Sequence, residues 1–137
     1  MTKPLLCVCA SLTLALAFTP SSRAEVTQDE QGRTVLVARD ASGRVTHRSV
    51  VEADGSRHVT RTQYWPTGAA AKRTVDEELD ASGRPTKRTD SRYDTGGRVL
   101  ETTAVTIDGG GKERGTRTRY SYGPQGEAHP TTSRVER

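Results

Sequence analysis

One five-residue pattern constrains this chain more than any other feature: an aspartate, two variable residues, a glycine and a basic residue. It occurs at Asp29–Arg33, Asp40–Arg44, Asp80–Arg84, Asp94–Arg98 and Asp108–Lys112, and Asp54-Gly55-Ser56-Arg57 reads as a shortened copy. Trp65-Pro66-Thr67-Gly68 and Gly123-Pro124-Gln125-Gly126 keep the last glycine and replace the aspartate. The final glycines of the full-length copies fall at 32, 43, 68, 83, 97, 111 and 126, with intervals of 11, 25, 15, 14, 14 and 15, and the longest interval contains the short copy. Such self-similarity marks a repeat architecture.

The unit has the chemistry of a reversing turn. An aspartate in first position accepts hydrogen bonds from backbone N–H groups two residues on. A glycine in fourth position enters the left-handed region without a Cβ clash, as a type I turn closing on a bulge requires. Asp40, Gly43, Asp80, Gly83, Asp94, Gly97, Asp108 and Gly111 are accordingly expected to be structural turn residues, and Asp54-Gly55 is expected to form a tighter two-residue hairpin turn.

Between the turns lie extended segments of roughly eight to ten residues, rich in threonine and valine, with period-two alternation. Val99, Thr103, Val105 and Ile107 fall on one face of their segment. Thr116, Thr118, Tyr120 and Tyr122 fall opposite Arg117 and Arg119, and Val45 and Val51 opposite Arg44 and Arg48. Only Ala69 to Leu79 offers anything to a helix, and Thr74 and Val75 weaken it. Pro85 and Pro130 would remove ladder donors, which assigns them to a strand start or a sheet edge. Short strands joined by tight turns run antiparallel to their neighbours. The expected fold is all-β: an antiparallel meander of about eight short strands joined by Asp-x-x-Gly turns. These form a single twisted or curled sheet, rolled at most toward an open barrel.

The core of such a sheet is lean. Past residue 24, only 15 of 113 residues are Val, Leu, Ile or Phe, about 13% where roughly 20% marks the boundary for burial to offset chain entropy. Tyr64, Trp65, Tyr93, Tyr120, Tyr122 and the valines are the candidate core. No thick, conventional enzyme core is expected on these numbers.

Residues 1–24 read differently from the rest. Met1 to Lys3 give a positive start, Pro4 to Phe18 form a mostly apolar run, and Ser22-Arg23-Ala24 fits a small-x-small cleavage pattern. Fifteen residues at about 1.5 Å each reach roughly 22 Å, short of a hydrocarbon layer of about 30 Å. The stretch therefore reads as a cleavable signal peptide, 1–24, followed by one repeat domain, 25–137. This implies a secreted or periplasmic location with no membrane span after cleavage. Cys7 and Cys9 both lie inside the leader, in no lipoprotein setting, so the domain has no disulfide.

Past the leader the net charge falls from +4 to +2, too balanced to drive binding to nucleic acid. Sixteen of its nineteen basic residues are arginines, the exceptions being Lys72, Lys87 and Lys112. Arginine suits planar pairing with carboxylates, on the protein or on an anionic sugar.

Tyr93-Asp94-Thr95-Gly96-Gly97-Arg98-Val99-Leu100 resembles the YD repeat of the RHS family, whose pattern is Tyr-Asp-x-x-Gly-Arg followed by an aliphatic residue. Asp40 to Val45 matches with Arg39 in place of the tyrosine, and Leu79 and Ile107 take that place in two further copies. Tyr122 to Glu127 keeps the tyrosine and last glycine. The resemblance covers most of residues 29–127. It implies β-sheets of the kind that family winds into shells or displays at cell surfaces, where they contact carbohydrates and partner proteins; this chain is far too short to enclose cargo.

No constellation for catalysis or cofactor binding stands out. His47, His58 and His129 are scattered, and each turn offers one carboxylate where calcium takes six to eight oxygens. Asp76-Glu77-Glu78 with Asp80 reads as a solvated strand end. Gly109-Gly110-Gly111-Lys112 lacks the length and following helix of a phosphate loop. The expectation is no enzyme, no metal and no cofactor. The expected function is a binding module that contacts an envelope glycan or protein. Its candidate surface is the Arg- and Thr-rich face near Arg57 to Gln63, Arg84 to Arg92 and Arg117 to Arg119, with Arg61, Arg88, Arg117 and Arg119 as candidate contacts. The alternative is a structural envelope or matrix component that self-associates through sheet edges.

Overall fold

The computed structural model describes residues 23–137. The expected leader lies outside the described residues except for Arg23 and Ala24, which open the first strand. Nine strands follow one another: β1 Arg23–Gln28, β2 Thr34–Arg39, β3 Val45–Val51, β4 Arg57–Tyr64, β5 Ala71–Leu79, β6 Pro85–Tyr93, β7 Val99–Ile107, β8 Glu113–Tyr122 and β9 Ala128–Glu136. Each pairs antiparallel with the next, in the order β1 to β9, and the sheet does not close into a barrel. The meander is thus as expected in kind and one strand longer, because eight turns separate nine strands. Ala71–Leu79 is a strand, Pro85 opens β6, and Pro130 sits in the edge strand β9.

The turns decide this topology. In Asp40–Arg44 the Asp40 N–H donates to the Arg44 carbonyl at 2.9 Å and the Gly43 N–H to the Asp40 carbonyl at 3.0 Å. Asp40 Oδ1 accepts from the N–H groups of Ser42 and Arg44, both at 2.9 Å. Asp29, Asp80, Asp94 and Asp108 repeat this double acceptance. Gly32, Gly43, Gly55, Gly68, Gly83, Gly97, Gly111 and Gly126 all have φ between +75° and +86°. That region costs an L-residue with a Cβ roughly 1–2 kcal/mol.

Asp54-Gly55 corrects the two-residue reading. The Glu52 N–H donates to the Ser56 carbonyl and the Gly55 N–H to the Glu52 carbonyl, so the turn is a full-length unit opened by Glu52. Asp54 occupies its third position and accepts from the Ser56 N–H at 2.9 Å. The turn at Trp65 is one residue longer, closed by the Trp65 N–H on the Ala70 carbonyl. At Gly123 the missing aspartate is replaced from the other end. The Glu127 carboxylate folds back over Gly123, where a Cβ would meet it, and accepts from the Gln125 N–H at 3.0 Å.

The sheet separates side chains into two faces. Val35 and Val50 lie opposite each other on one face, and Val59, Val105 and Val135 on the other. These five valines are the only buried large apolar residues among those described. The aromatic residues expected in the core are half-buried instead. A single layer has nothing to cover a bulky ring, and it buries only small residues flanked by longer neighbours. Arg88 lies opposite Val105 and reaches Glu113 at 2.6 Å, passing its apolar stem across β7. Gly115, between Val105 and Val135, allows β7 and β8 to approach so closely that a Cβ would strike the Ala104 carbonyl.

The face bearing Val59, Val105 and Val135 is concave. Side chains from β4, β5 and β6, together with Arg137 beyond β9, line one hollow of about 470 Å³. In a flat sheet β4 and β9 would stand about 24 Å apart, at roughly 4.8 Å per strand.

Two substitutions separate the backbone effect from the space effect. Gly97→Ala should lower unfolding free energy by about 1–2 kcal/mol in denaturant titration. Gly109→Ala, with ordinary φ and open space around it, should leave it within about 0.5 kcal/mol of wild type. Gly115→Ala should destabilise although its φ is ordinary, because the obstacle is the neighbouring backbone.

Candidate functional site

Alternation along each strand assigns the arginines and threonines of the expected binding surface to opposite faces. Arg61, Arg88, Arg117 and Arg119 all stand on the concave face. Thr62, Thr74, Ser91, Thr102, Thr118 and Thr132 form one unbroken row across six strands on the convex face. Neighbours in that row meet at 3.2 Å (Ser91 Oγ to Thr102 Oγ1) and 3.1 Å (Thr118 Oγ1 to Thr132 Oγ1). The surface read as one Arg- and Thr-rich face is therefore two surfaces with different chemistry.

Each of the four candidate arginines has an acidic partner on its own face. Arg61 is bonded to Glu77, and Arg88 donates to Glu113 at 2.6 Å. Arg119 donates to Glu101 at 2.9 Å, and Arg117 lies 3.8 Å from the same carboxylate. Glu101 consequently sits below the usual carboxylate range. The Arg119 bond contributes most, partial burial opposes it, and the charges of Arg117, Arg119 and Arg92 add to the lowering.

The strand acids read as a solvated strand end are instead paired across the sheet, with Asp76 and Glu77 half-buried within β5. Asp76 accepts from Thr60 at 2.6 Å, Glu77 from Arg61, and Glu78 lies 3.2 Å from Lys87. Among the described residues no three His, Cys, Asp or Glu side chains converge as a metal site would require.

The concave face nonetheless keeps a surplus of positive charge. Between β4 and β9 it also carries Arg57, Arg73, Arg92 and Arg137, against the four acids Glu77, Asp90, Glu101 and Glu113. Arg73 is held by Asp90, its Nε donating at 2.9 Å. Directly opposite Arg73 stands Arg92, which has no carboxylate within ion-pair distance among the described residues and acts on Glu101 from further off. Reading the residues in order missed this pair, because folding β5 onto β6 about the Asp80 turn places Arg73 beside Ser91. A one-residue register shift between Glu78 and Leu79 moves Arg92 into that place.

The turn aspartates serve the scaffold. At one end of the sheet, tyrosines precede every turn after the first: Tyr64, Tyr93 and Tyr122, spaced 29 residues apart. Tyr64 and Tyr122 donate to the carbonyls of Val45 and Val99 at 2.7 and 2.6 Å, and Tyr93 meets Thr74 Oγ1 at 3.1 Å. The turn arginines Arg44 and Arg98 lie over Tyr64 and Tyr122, 4.7 Å from each ring centroid. Trp65 Nε1 donates to the Asp94 carbonyl at 3.2 Å, tying two turns together. At the other end the corresponding positions hold Val51, Leu79 and Ile107. The repeat is therefore a pair of hairpins, aromatic at one end and aliphatic at the other.

No protein-family model matches this chain, and no curated protein matches its sequence.

The turn carboxyls give the scaffold an acid limit. Asp29, Asp94 and Asp108 are held below the ordinary aspartate value first by the backbone N–H groups of Arg33, Arg98 and Lys112, and Asp54 and Asp80 first by the hydroxyls of Ser56 and Ser82. For Asp40 burial pushes upward, and the combined Arg44 and Ser42 bonds outweigh it. A carboxyl whose value is lower folded than unfolded contributes stability above the unfolded value, near pH 4, and that contribution is lost as pH falls through the folded value. The thermal midpoint should hold steady from pH 7 to about 5 and drop below about pH 4. A variant carrying Asp40→Asn, Asp80→Asn and Asp94→Asn should show a shallower drop over the same range.

Proposed function

We propose that this chain is an exported, non-enzymatic binding module that contacts an envelope glycan or protein through the concave face of its sheet. The observation that supports this most is the arginine surplus on that face, with Arg61, Arg88, Arg117 and Arg119 all on it. Their acidic partners fix the guanidinium planes and leave donors free, since each guanidinium carries five N–H groups and its contacts use only some of them. The face is also shallow and open, which suits an extended ligand better than a small enclosed substrate. The apolar start of the chain supports export, and the match of Tyr93–Leu100 to the YD pattern supports a surface-displayed sheet.

Pull-down on peptidoglycan and on an immobilised acidic polysaccharide checks this reading. The triple variant Arg88→Ala, Arg117→Ala, Arg119→Ala should bind at least roughly tenfold more weakly, from three partly exposed charge contacts of about 0.5–1 kcal/mol each. Arg114→Ala with Arg134→Ala, on the opposite face, should bind as wild type. Equal binding by both variants overturns the assignment.

A second reading, self-association through sheet edges, is favoured by the two edge strands. All of β1 is exposed, with Val26 at 68%, and β9 is exposed except for Val135. An odd number of strands makes both free edges run in the same direction. If each face is to continue across the join, antiparallel pairing brings like edges together, β9 with β9 or β1 with β1, about a two-fold axis. Sedimentation equilibrium should show a monomer–dimer equilibrium on this reading, and a monomer at every concentration removes it.

A further inference from the structure

We propose that the cross-strand pair Arg73 and Arg92 forms an oxyanion subsite that seats a pendant carboxylate of an acidic glycan lying along the concave face. The inference rests on the binding reading above and names both the ligand chemistry and the residues that select it.

Two like charges directly opposite on neighbouring strands repel, and sheets avoid the arrangement unless something neutralises it. Arg73 and Arg92 are such a pair. Asp90 engages Arg73 through both its Nε and its terminal nitrogen, so that carboxylate is committed to one of the two arginines. Arg92 is exposed and stands without an ion-pair partner among the described residues: Glu101, directly opposite it on β7, is turned to Arg119, which donates to it at 2.9 Å. The hollow beside the pair has a volume of about 210 Å³ and is lined by Gln63, Lys72, Arg73 and Arg92. Three cations and an amide line it, and no acid does. A carboxylate bridging the two guanidiniums would convert a repulsive contact into a pair of charge-assisted bonds, for which the planar N–H forks of arginine are suited.

The surroundings favour an extended ligand over a free ion. Arg73 also lines the hollow of about 470 Å³ toward β4, and Arg73 and Arg92 both line a third, of about 220 Å³, toward β9. The three spaces therefore share their charged centre. A polymer can run through all of them and set one acidic group on the arginine pair.

The test uses the purified full-length protein with polygalacturonate and, separately, inorganic phosphate, at matched ionic strength against sodium chloride. Arg92→Gln should weaken polygalacturonate binding about tenfold, and Arg114→Ala, on the convex face, should leave it unchanged. In low salt without ligand Arg92→Gln should melt close to the wild-type temperature, because it removes both the like-charge contact with Arg73 and the attraction to Glu101; a folding defect would lower it well below. Polygalacturonate should raise the wild-type melting temperature beyond the sodium chloride control and fail to do so in Arg92→Gln. If Arg92→Gln binds polygalacturonate as wild type does while the Arg88, Arg117 and Arg119 triple variant does not, this subsite is wrong and the binding face stands. If phosphate shows the same Arg92 dependence and polygalacturonate does not bind, the site takes a small anion and the glycan assignment falls. If the wild type binds neither probe, the subsite falls, while peptidoglycan pull-down still judges the binding face separately.

Discussion

This structure depends on a turn whose glycine takes a left-handed conformation and in which, in five of the eight copies, an aspartate three residues earlier accepts two backbone N–H groups. The aspartate pre-forms the corner locally, and the glycine lets the chain leave it in the direction the next strand needs. Repeated at short intervals, the corner replaces what most domains obtain from a hydrophobic core. Five buried valines could not order more than a hundred residues alone. Eight turns that each close independently shorten every loop to be ordered, so the ladder forms between neighbours in sequence and long-range closure costs little. The variants of the corner show which part is indispensable. Glu52 opens a turn in place of aspartate, and Glu127 supplies a carboxylate from the far side, yet every one of the eight turns keeps its left-handed glycine.

A single layer built this way exposes both faces, and each face solves the problem of an open sheet differently. On the convex side short hydroxyl side chains touch one another across strands, and the tyrosines lie down to reach backbone carbonyls. On the concave side long arginines pair with glutamates and lay their stems over the few valines. Charge on that side is thus partly structural, which is why a count of arginines overstates what is available to a ligand. What is left over is concentrated where Arg73 faces Arg92.

Much of the fold was legible because the turn signal is local. Asp40, Gly43, Asp80, Gly83, Asp94, Gly97, Asp108 and Gly111 all occupy the turn positions their spacing implies, and the alternation in β7 and β8 gives the faces correctly. The short turn at Asp54 was misjudged because the eye follows aspartate, whereas the backbone follows the glycine and accepts glutamate in first position. The aromatic residues were overvalued as core because hydrophobicity alone does not say whether a second layer exists to cover them. Period two puts Arg117 and Arg119 on one face of their strand, but the glutamate partners of the four candidate arginines lie on other strands and are invisible without the register.

The sequence by itself determined the strand order, the sites of the full Asp-x-x-Gly turns and the antiparallel sense of the pairing, since each follows from contacts within a few residues. Only the tertiary structure decided the register. One-residue shifts at Ala38/Arg39, Gln63/Tyr64, Glu78/Leu79 and Arg92/Tyr93 interrupt four of the eight ladders, and the other four run without one. A slip of one residue exchanges the two faces of a strand. Which arginines meet glutamates, and which meet each other, is therefore settled by the packing of neighbouring strands.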